Sequence, residues 1–175
     1  MEYDDREIIE GCKRKDKKFQ KILYDKYAQH LFAVCLRNTR CKEDAEDIFQ
    51  EAFVKAFNSL EKYSYQGSFI SWLTIMFKRE AWNYYRGKKT QFSKVELDDS
   101  NIPTYANDIL EEYSNEQLLN CLQRLEDKER IVLVMYAIDG ATWEEIAEFT
   151  QFEVATVRSM FSRAKKKVVD MFYNL

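Results

Sequence analysis

Proline occurs once in this chain of 175 residues, glycine four times and histidine once. Sheets built on hairpins draw heavily on glycine and proline at their turns, so this poverty argues for an all-helical protein. No stretch approaches the roughly 18 consecutive apolar residues of a membrane span, which excludes insertion by this chain. Residues 1–6 carry no apolar signal core, giving the expectation of a cytoplasmic protein. The lone His30 has no second histidine near it, and Cys12, Cys35, Cys41 and Cys121 form no CxxC pair. Metal-ligand spacing is therefore absent, and neither a metal nor a cofactor is expected. There is also no glycine-rich phosphate loop and no nucleophile beside a base, so the sequence offers no catalytic constellation and an enzyme is not expected. Cys12, Cys35 and Cys121 fall at apolar helical positions and read as small buried hydrophobes; Cys41 lies in a loop, where a reactive thiol is an alternative, but the plain structural reading is favoured for all four.

What the chain does have is charge sorted along its length. The whole carries a formal charge of −3. Yet residues 74–90 hold Lys78, Arg79, Arg86, Lys88 and Lys89 against Glu80 alone, and residues 153–168 hold Arg158, Arg163, Lys165, Lys166 and Lys167 against Glu153 alone. Between them, residues 95–129 hold ten acidic side chains and only Arg124 and Lys128. Two basic helical stretches in an acidic chain point to nucleic acid gripped at two places. A hydrophobic fraction of 46% with 15% aromatic residues supplies enough apolar mass for packed cores, in one domain or two.

Periodicity places the helices. Ala45, Ile48, Phe49, Ala52, Phe53, Ala56, Phe57 and Leu60 fall at offsets 0, 3, 4, 7, 8, 11, 12 and 15, the pattern of a helix with one apolar face. Its opposite surface carries acids toward the N-terminal turns, where they also suit the helix dipole. Two helices precede it over residues 4–36, with Asp16 as the cap between them. A further helix from Phe69 to about Lys89 turns Trp72, Leu73, Phe77, Ala81, Trp82 and Tyr85 inward, and its tryptophans read as core anchors rather than base platforms. Residues 90–107 contain Pro103 and lack periodicity, as a linker does. Helical pattern resumes to Ala137 with a break near Glu126 and Asp127, and Asp139-Gly140 ends it. Thr142 and Glu145 form a T-x-x-E capping box for a short helix, and a last helix follows from Val154. Ile146 and Ala147 facing Val157, Phe161, Ala164 and Val168 have the spacing of a helix-turn-helix. On the outer face of the last helix, short hydrogen-bonding groups come first and cations follow, an order suited to base edges and then phosphates.

Four ordered motifs carry a family resemblance. They are Asp44-Ala45-Glu46-Asp47-Ile48-Phe49-Gln50-Glu51-Ala52-Phe53; Gly67-Ser68-Phe69-Ile70-Ser71-Trp72-Leu73; Glu80-Ala81-Trp82-Asn83-Tyr84-Tyr85-Arg86; and Trp143-Glu144-Glu145-Ile146-Ala147-Glu148 with Thr156-Val157-Arg158-Ser159 and Arg163-Ala164-Lys165-Lys166. Together they resemble bacterial sigma factors of the extracytoplasmic-function group in the sigma-70 family. The resemblance implies two small helical domains: residues 1–90, similar to sigma region 2; an acidic linker, 91–109; and residues 110–175, similar to the region 4 helix-turn-helix.

It also implies roles. The chain would bind core RNA polymerase and direct it to specific promoter DNA, with Asp44, Asp47, Gln50 and Glu51 docking on a coiled coil of the largest subunit. Tyr65, Gln66, Ser68 and Asn83 would line a pocket for an unstacked base at the minus 10 element, while Lys78, Arg79, Arg86, Lys88 and Lys89 hold the backbone. Thr156, Arg158, Ser159, Ser162, Arg163 and Lys166 would read the minus 35 duplex. The acidic linker resembles a segment that threads toward the RNA exit path, mimicking nucleic acid in a basic channel; a flexible tether explains it equally. The resemblance implies an anti-sigma factor that covers the polymerase-binding surfaces; with no sensing domain expected after Leu175, regulation would come from another chain or from expression level. Where a primary sigma factor carries a melting aromatic pair, this chain has Ile75 and Met76. Gln151 replaces a turn glycine, Glu153 a serine or threonine cap, and Met160 a frequent arginine, departures expected to weaken minus 35 binding. Two rival readings are a stand-alone helix-turn-helix regulator, which would bind duplex without polymerase, and an interaction module whose acidic helix sequesters a partner.

Overall fold

The computed structural model describes residues 3–88 and 115–173. Among these residues the chain is helical throughout, in the order α1 (Asp5–Lys13), α2 (Lys17–Asn38), α3 (Lys42–Ser59), a 3-10 turn (Leu60–Lys62), α4 (Phe69–Lys88), α5 (Asn115–Arg124), α6 (Asp127–Leu133), a π-helical turn (Val134–Ile138), α7 (Trp143–Thr150) and α8 (Val154–Tyr173). The expected linker, 91–109, and Lys89 lie outside the described residues. No helix among the described residues is long and apolar enough to cross a membrane, and they contain no cluster of side chains able to hold a metal ion. Two compact units divide the chain: Met1–Leu36 with Lys42–Ala81, and Arg37–Cys41 with Trp82–Leu175. The tail of α4 from Trp82 therefore packs with the C-terminal helices.

In the first unit, local chemistry sets the helix starts. Asp4 accepts a hydrogen bond from the Glu7 amide at 2.7 Å while the Glu7 carboxylate accepts from the Asp4 amide at 3.1 Å, a reciprocal capping box. Asp16 caps α2 as the sequence predicts, accepting from the Lys18 amide at 2.9 Å. Asp5 then ties α1 to α2 through Lys26 at 2.8 Å and through the Tyr27 hydroxyl. Burial raises the Asp5 carboxyl, but the hydrogen bonds and charge of these two partners outweigh it and hold its pKa below the ordinary value. The predicted inner face of α3 is buried, and Phe49 and Phe53 pack edge-on against Phe77 of α4 at 5.8 and 5.1 Å between ring centres. Full burial of each such ring stabilises by about 1.5–3 kcal/mol. Cys12 and Cys35 lie in this core, as Cys121 lies in the other. Desolvation pushes the first thiol up to about 11 and the second to about 12.

Gly11 is where α1 meets the start of α2. A Cβ there would sit 2.1 Å from Cγ and 2.6 Å from Cβ of Phe19. The clash is with the base of the side chain, so Phe19 cannot swing clear without backbone movement. Alanine's helix propensity gains about 1 kcal/mol, but overpacking costs about 1–3 kcal/mol. Gly11→Ala is therefore expected to destabilise the first unit by up to about 2 kcal/mol, read as faster amide exchange in α1; unchanged exchange would contradict the close approach.

In the second unit, Leu122, Leu125, Ile131, Val132, Ile146, Val157, Phe161, Ala164 and Val168 form one apolar core with Trp82 and Tyr85. Trp82 is thus a core anchor, as its spacing predicts. The π-helical turn closes through the Asp139 amide donating to the Val134 carbonyl at 3.0 Å and the Ala141 amide to that of Met135 at 2.9 Å. Gly140 follows at φ +70°, a conformation that favours glycine, and lets the chain reverse into α7.

Candidate nucleic-acid interface

The C-terminal site is built on caps and an aromatic brace. Thr142 accepts from the Glu145 amide at 3.2 Å and its own amide donates to the Glu145 carboxylate at 2.7 Å, as the T-x-x-E spacing predicts. The hydrogen bond from the Thr142 backbone holds the Glu145 carboxyl below its ordinary pKa. Tyr136 stacks on Trp143 at 3.8 Å and 12°, and both rings meet Phe161 of α8 edge-on, at 4.8 and 5.3 Å. That brace fixes α7 against α8 across the turn 151–153.

Gln151 takes the left-handed conformation, φ 61°, at the α7 C-cap. Its side chain donates to the Glu148 carbonyl at 2.6 Å. The departure from glycine thus leaves the turn geometry intact at the expense of strain. Left-handed backbone costs a non-glycine residue about 1–2 kcal/mol, against about 0.5 kcal/mol for one exposed hydrogen bond. Gln151→Gly should raise stability by about 0.5–1 kcal/mol and the Tm by a few degrees. A fall in Tm would show that the side-chain bond outweighs the strain.

Along α8, Thr156, Ser159, Arg163 and Lys166 recur at offsets 0, 3, 7 and 10 and share one stripe, with Arg158 and Ser162 beside it. Arg158 and Lys166 are exposed; Thr156, Ser159, Ser162 and Arg163 are half-buried. Arg158 also lies 5.8 Å from the centre of the Trp143 ring. Two expectations change here. Met160 is buried in the core, so it displaces no phosphate contact: the position faces inward. Arg163 is tied at 3.3 Å to Glu129, which Lys167 also holds at 2.7 Å. Its charge is already partly balanced within the unit.

The N-terminal site residues sit on the first unit and along α4. Asp47, Gln50 and Glu51 are exposed on α3 and Asp44 is half-buried. Beside them opens a groove of about 640 Å3 lined by Tyr24, Ala28, Gln29, Phe32, Glu46, Phe49, Gln50, Phe53 and Val54. Val54 and Tyr24 are 61% and 46% exposed, so apolar surface and acidic rim adjoin. In the loop before α4, Tyr65, Gln66 and Ser68 are exposed while Tyr63 is buried and its hydroxyl donates to the Gly67 carbonyl at 2.9 Å. Arg79, Asn83 and Arg86 are exposed at offsets 0, 4 and 7 on α4, and Lys78 is half-buried. Ile75, in the expected melting-pair position, is 54% exposed.

Asp127 and Glu129 belong to the acidic stretch 95–129, whose charges alone suggest a solvent-facing surface. Both are buried and paired with cations. Sequence reasoning also missed Glu10, Lys13 and Arg6, which surround Tyr65 from α1, because no local pattern joins residues more than 50 positions apart.

A helix-turn-helix with a cation-bearing second helix, in a chain that also carries an acidic helix and a basic one, defines an all-helical protein with the architecture of a nucleic-acid binder. The profile of Sigma-70 region 2 matches residues 23–91 and that of Sigma-70, region 4 matches residues 115–168. The RNA polymerase sigma-H factor of Pseudomonas aeruginosa is 26% identical over 94% of this chain and 91% of its own length. The ECF RNA polymerase sigma-E factor of Escherichia coli K12 is 26% identical over 94% of this chain and 92% of its own. Among solved structures, CnrH in complex with the cytosolic domain of CnrY shares the fold with a TM-score of 0.55, at 19% identity and 97% coverage of both chains. The sigma factor RpoE of Bartonella quintana, in complex with the anti-sigma factor NepR, does so with 0.57, at 16% identity over 87% of this chain and 96% of that one. The chain belongs to the sigma-70 family, in its extracytoplasmic-function group. It is an alternative sigma factor that directs RNA polymerase to promoters, and not an enzyme. Nothing in these comparisons supports a stand-alone regulator.

Proposed function

We propose that the three surfaces divide the work of initiation. Residues 1–90 dock on core polymerase and open the minus 10 element, 91–109 link, and 110–175 read the minus 35 duplex. Asp44, Asp47, Gln50 and Glu51 face the polymerase. Tyr65, Gln66, Ser68 and Asn83 receive an unstacked base, with Lys78, Arg79, Arg86, Lys88 and Lys89 on the phosphates. Thr156, Arg158, Ser159, Ser162 and Lys166 meet the minus 35 element, and Arg163 joins them by sharing its charge between Glu129 and a phosphate. The protein works in the cytoplasm, where an anti-sigma factor restrains it by covering the α3 face.

The observation that carries this reading is the outer face of α3. A helix-turn-helix serves a repressor as well as a sigma factor, but an exposed acidic row beside an apolar groove serves a protein partner, not DNA. Its test is direct. The purified chain, added to core polymerase on a genomic promoter library, should produce initiation at a defined subset. Absence of any gain from a folded chain, or tight duplex binding that polymerase does not improve, would overturn the proposal.

A further inference from the structure

We propose that α1 is a positioning element for the loop before α4: Glu10 and Lys13 hold the Tyr65 side chain in a preset orientation for promoter opening. The inference rests on the reading of that loop as the minus 10 site. It adds a helix which no motif assigns to that task.

Three observations carry it. Tyr65 has φ 58°, a left-handed backbone that a bulky aromatic residue rarely adopts. Such a conformation persists only where the surroundings over-determine it, and such residues gather at functional sites. The surroundings here are specific. The Tyr65 hydroxyl donates to Glu10 Oε1, and Lys13 Nζ donates to the same hydroxyl at 3.2 Å and to Glu10 Oε1 at 3.1 Å. The three groups close a ring of mutual hydrogen bonds, with Lys13 Nζ also 4.7 Å and the Arg6 guanidinium 5.6 Å from the centre of the aromatic ring. From the loop side, Tyr63 packs against Tyr65 at 5.1 Å.

The clasp leaves the tyrosine at the surface, with 40% of it exposed. Its hydroxyl end is anchored and two-fifths of the residue stays open to solvent, so an unpaired base meets an aromatic side chain already held in place. Preorganisation matters because a platform already in place loses no side-chain freedom when the base arrives. The protonation states agree. Burial, then the Glu10 bond, raises the Tyr65 phenol, and the Tyr65 bond lowers Glu10, so donor and acceptor keep their roles at neutral pH. Arg6, exposed beside the ring, adds positive charge near where a captured base would bring its phosphates.

The test uses holoenzyme formed with the full chain, and follows opening of a duplex promoter by permanganate reactivity of the minus 10 thymines. Core association is measured in parallel on native gels. Glu10→Ala and Tyr65→Phe should each slow opening about tenfold, with no change in core association, as loss of a charge-assisted hydrogen bond allows. The double variant should be no slower than either single one, since both remove the same bond. Glu10→Gln, whose amide oxygen still accepts, should recover most of the rate. On a promoter already mismatched open at minus 10, the Glu10→Ala defect should shrink below about twofold, because the unstacking step is gone. If Tyr65→Ala slows opening but Glu10→Ala does not, the loop reading stands and the positioning role is overturned. Should neither slow it, the loop reading fails and takes this inference with it. Equal loss of core association and opening in Glu10→Ala would mark a general folding defect and also overturn the role.

Discussion

Asp127→Ala is expected to remove about 3–5 kcal/mol from the stability of the second unit, the range for breaking a buried ion pair from one side. The Asp127 carboxylate accepts from Arg130 Nη2 at 2.7 Å and from Arg40 Nε at 2.6 Å. Arg130 is fully buried, and without Asp127 its hydrogen-bond acceptor is the Leu125 carbonyl, at 3.1 Å from Nη1. The face of Tyr85, 5.2 Å from the guanidinium, adds a weaker attraction. Burial already depresses the Arg130 pKa, and the Asp127 hydrogen bond is the chief force opposing that. An arginine does not escape by losing its proton, so the desolvation falls on the fold. Hydrogen exchange at the amides of 131–135 reports the loss. Arg130→Met added to Asp127→Ala should restore more than half of it, because no charge is then left buried and the apolar volume is kept. Protection that survives Asp127→Ala unchanged would show that the carboxylate is not what compensates Arg130.

The second large effect concerns association. Asp47→Lys with Glu51→Lys should weaken holoenzyme formation by about 100-fold or more, since placing like charges across an interface costs several kcal/mol. Both side chains point into solvent from the middle turns of α3, whose opposite face supplies the buried Ile48, Phe49, Ala52 and Phe53. The helix itself should therefore lose less than about 1 kcal/mol, the scale of surface substitutions and dipole effects. Titration of labelled chain with core polymerase, beside a thermal melt, separates the two quantities. The loss should also depend on salt, because the charges are exposed. Unchanged affinity with an unchanged melt would place the polymerase contact elsewhere.

The difference between these two predictions marks what the sequence made legible. The α3 face was readable because a helix buries one stripe and the stripe recurs every three or four residues. The T-x-x-E box and the inward set from Ile146 to Val168 were readable for the same reason: local spacing dictates them. Asp127 was not. Its neighbours Glu126 and Glu129 are also acidic, and only Arg40, 87 residues away, with Arg130 three residues on, turns it from a solvent-facing charge into a buried one. Met160 failed differently. The resemblance suggested a lost phosphate contact, whereas the helical register puts it between Val157 and Ala164 on the core side of α8. The Tyr65 clasp lay beyond any pattern, since Glu10 and Lys13 look like ordinary surface charges until the loop folds onto them.

The buried cysteines of the two cores carry a consequence for signalling. A thiol reacts with peroxide as the thiolate, and with its pKa lifted to about 11 Cys12 is ionised in only about one molecule in ten thousand at neutral pH. Cys35, at about 12, is ionised less still. Both are also shielded from solvent by the helices that hold them. An oxidative burst therefore has little purchase on either, so an oxidant signal to this factor would have to enter at another cysteine or through another protein.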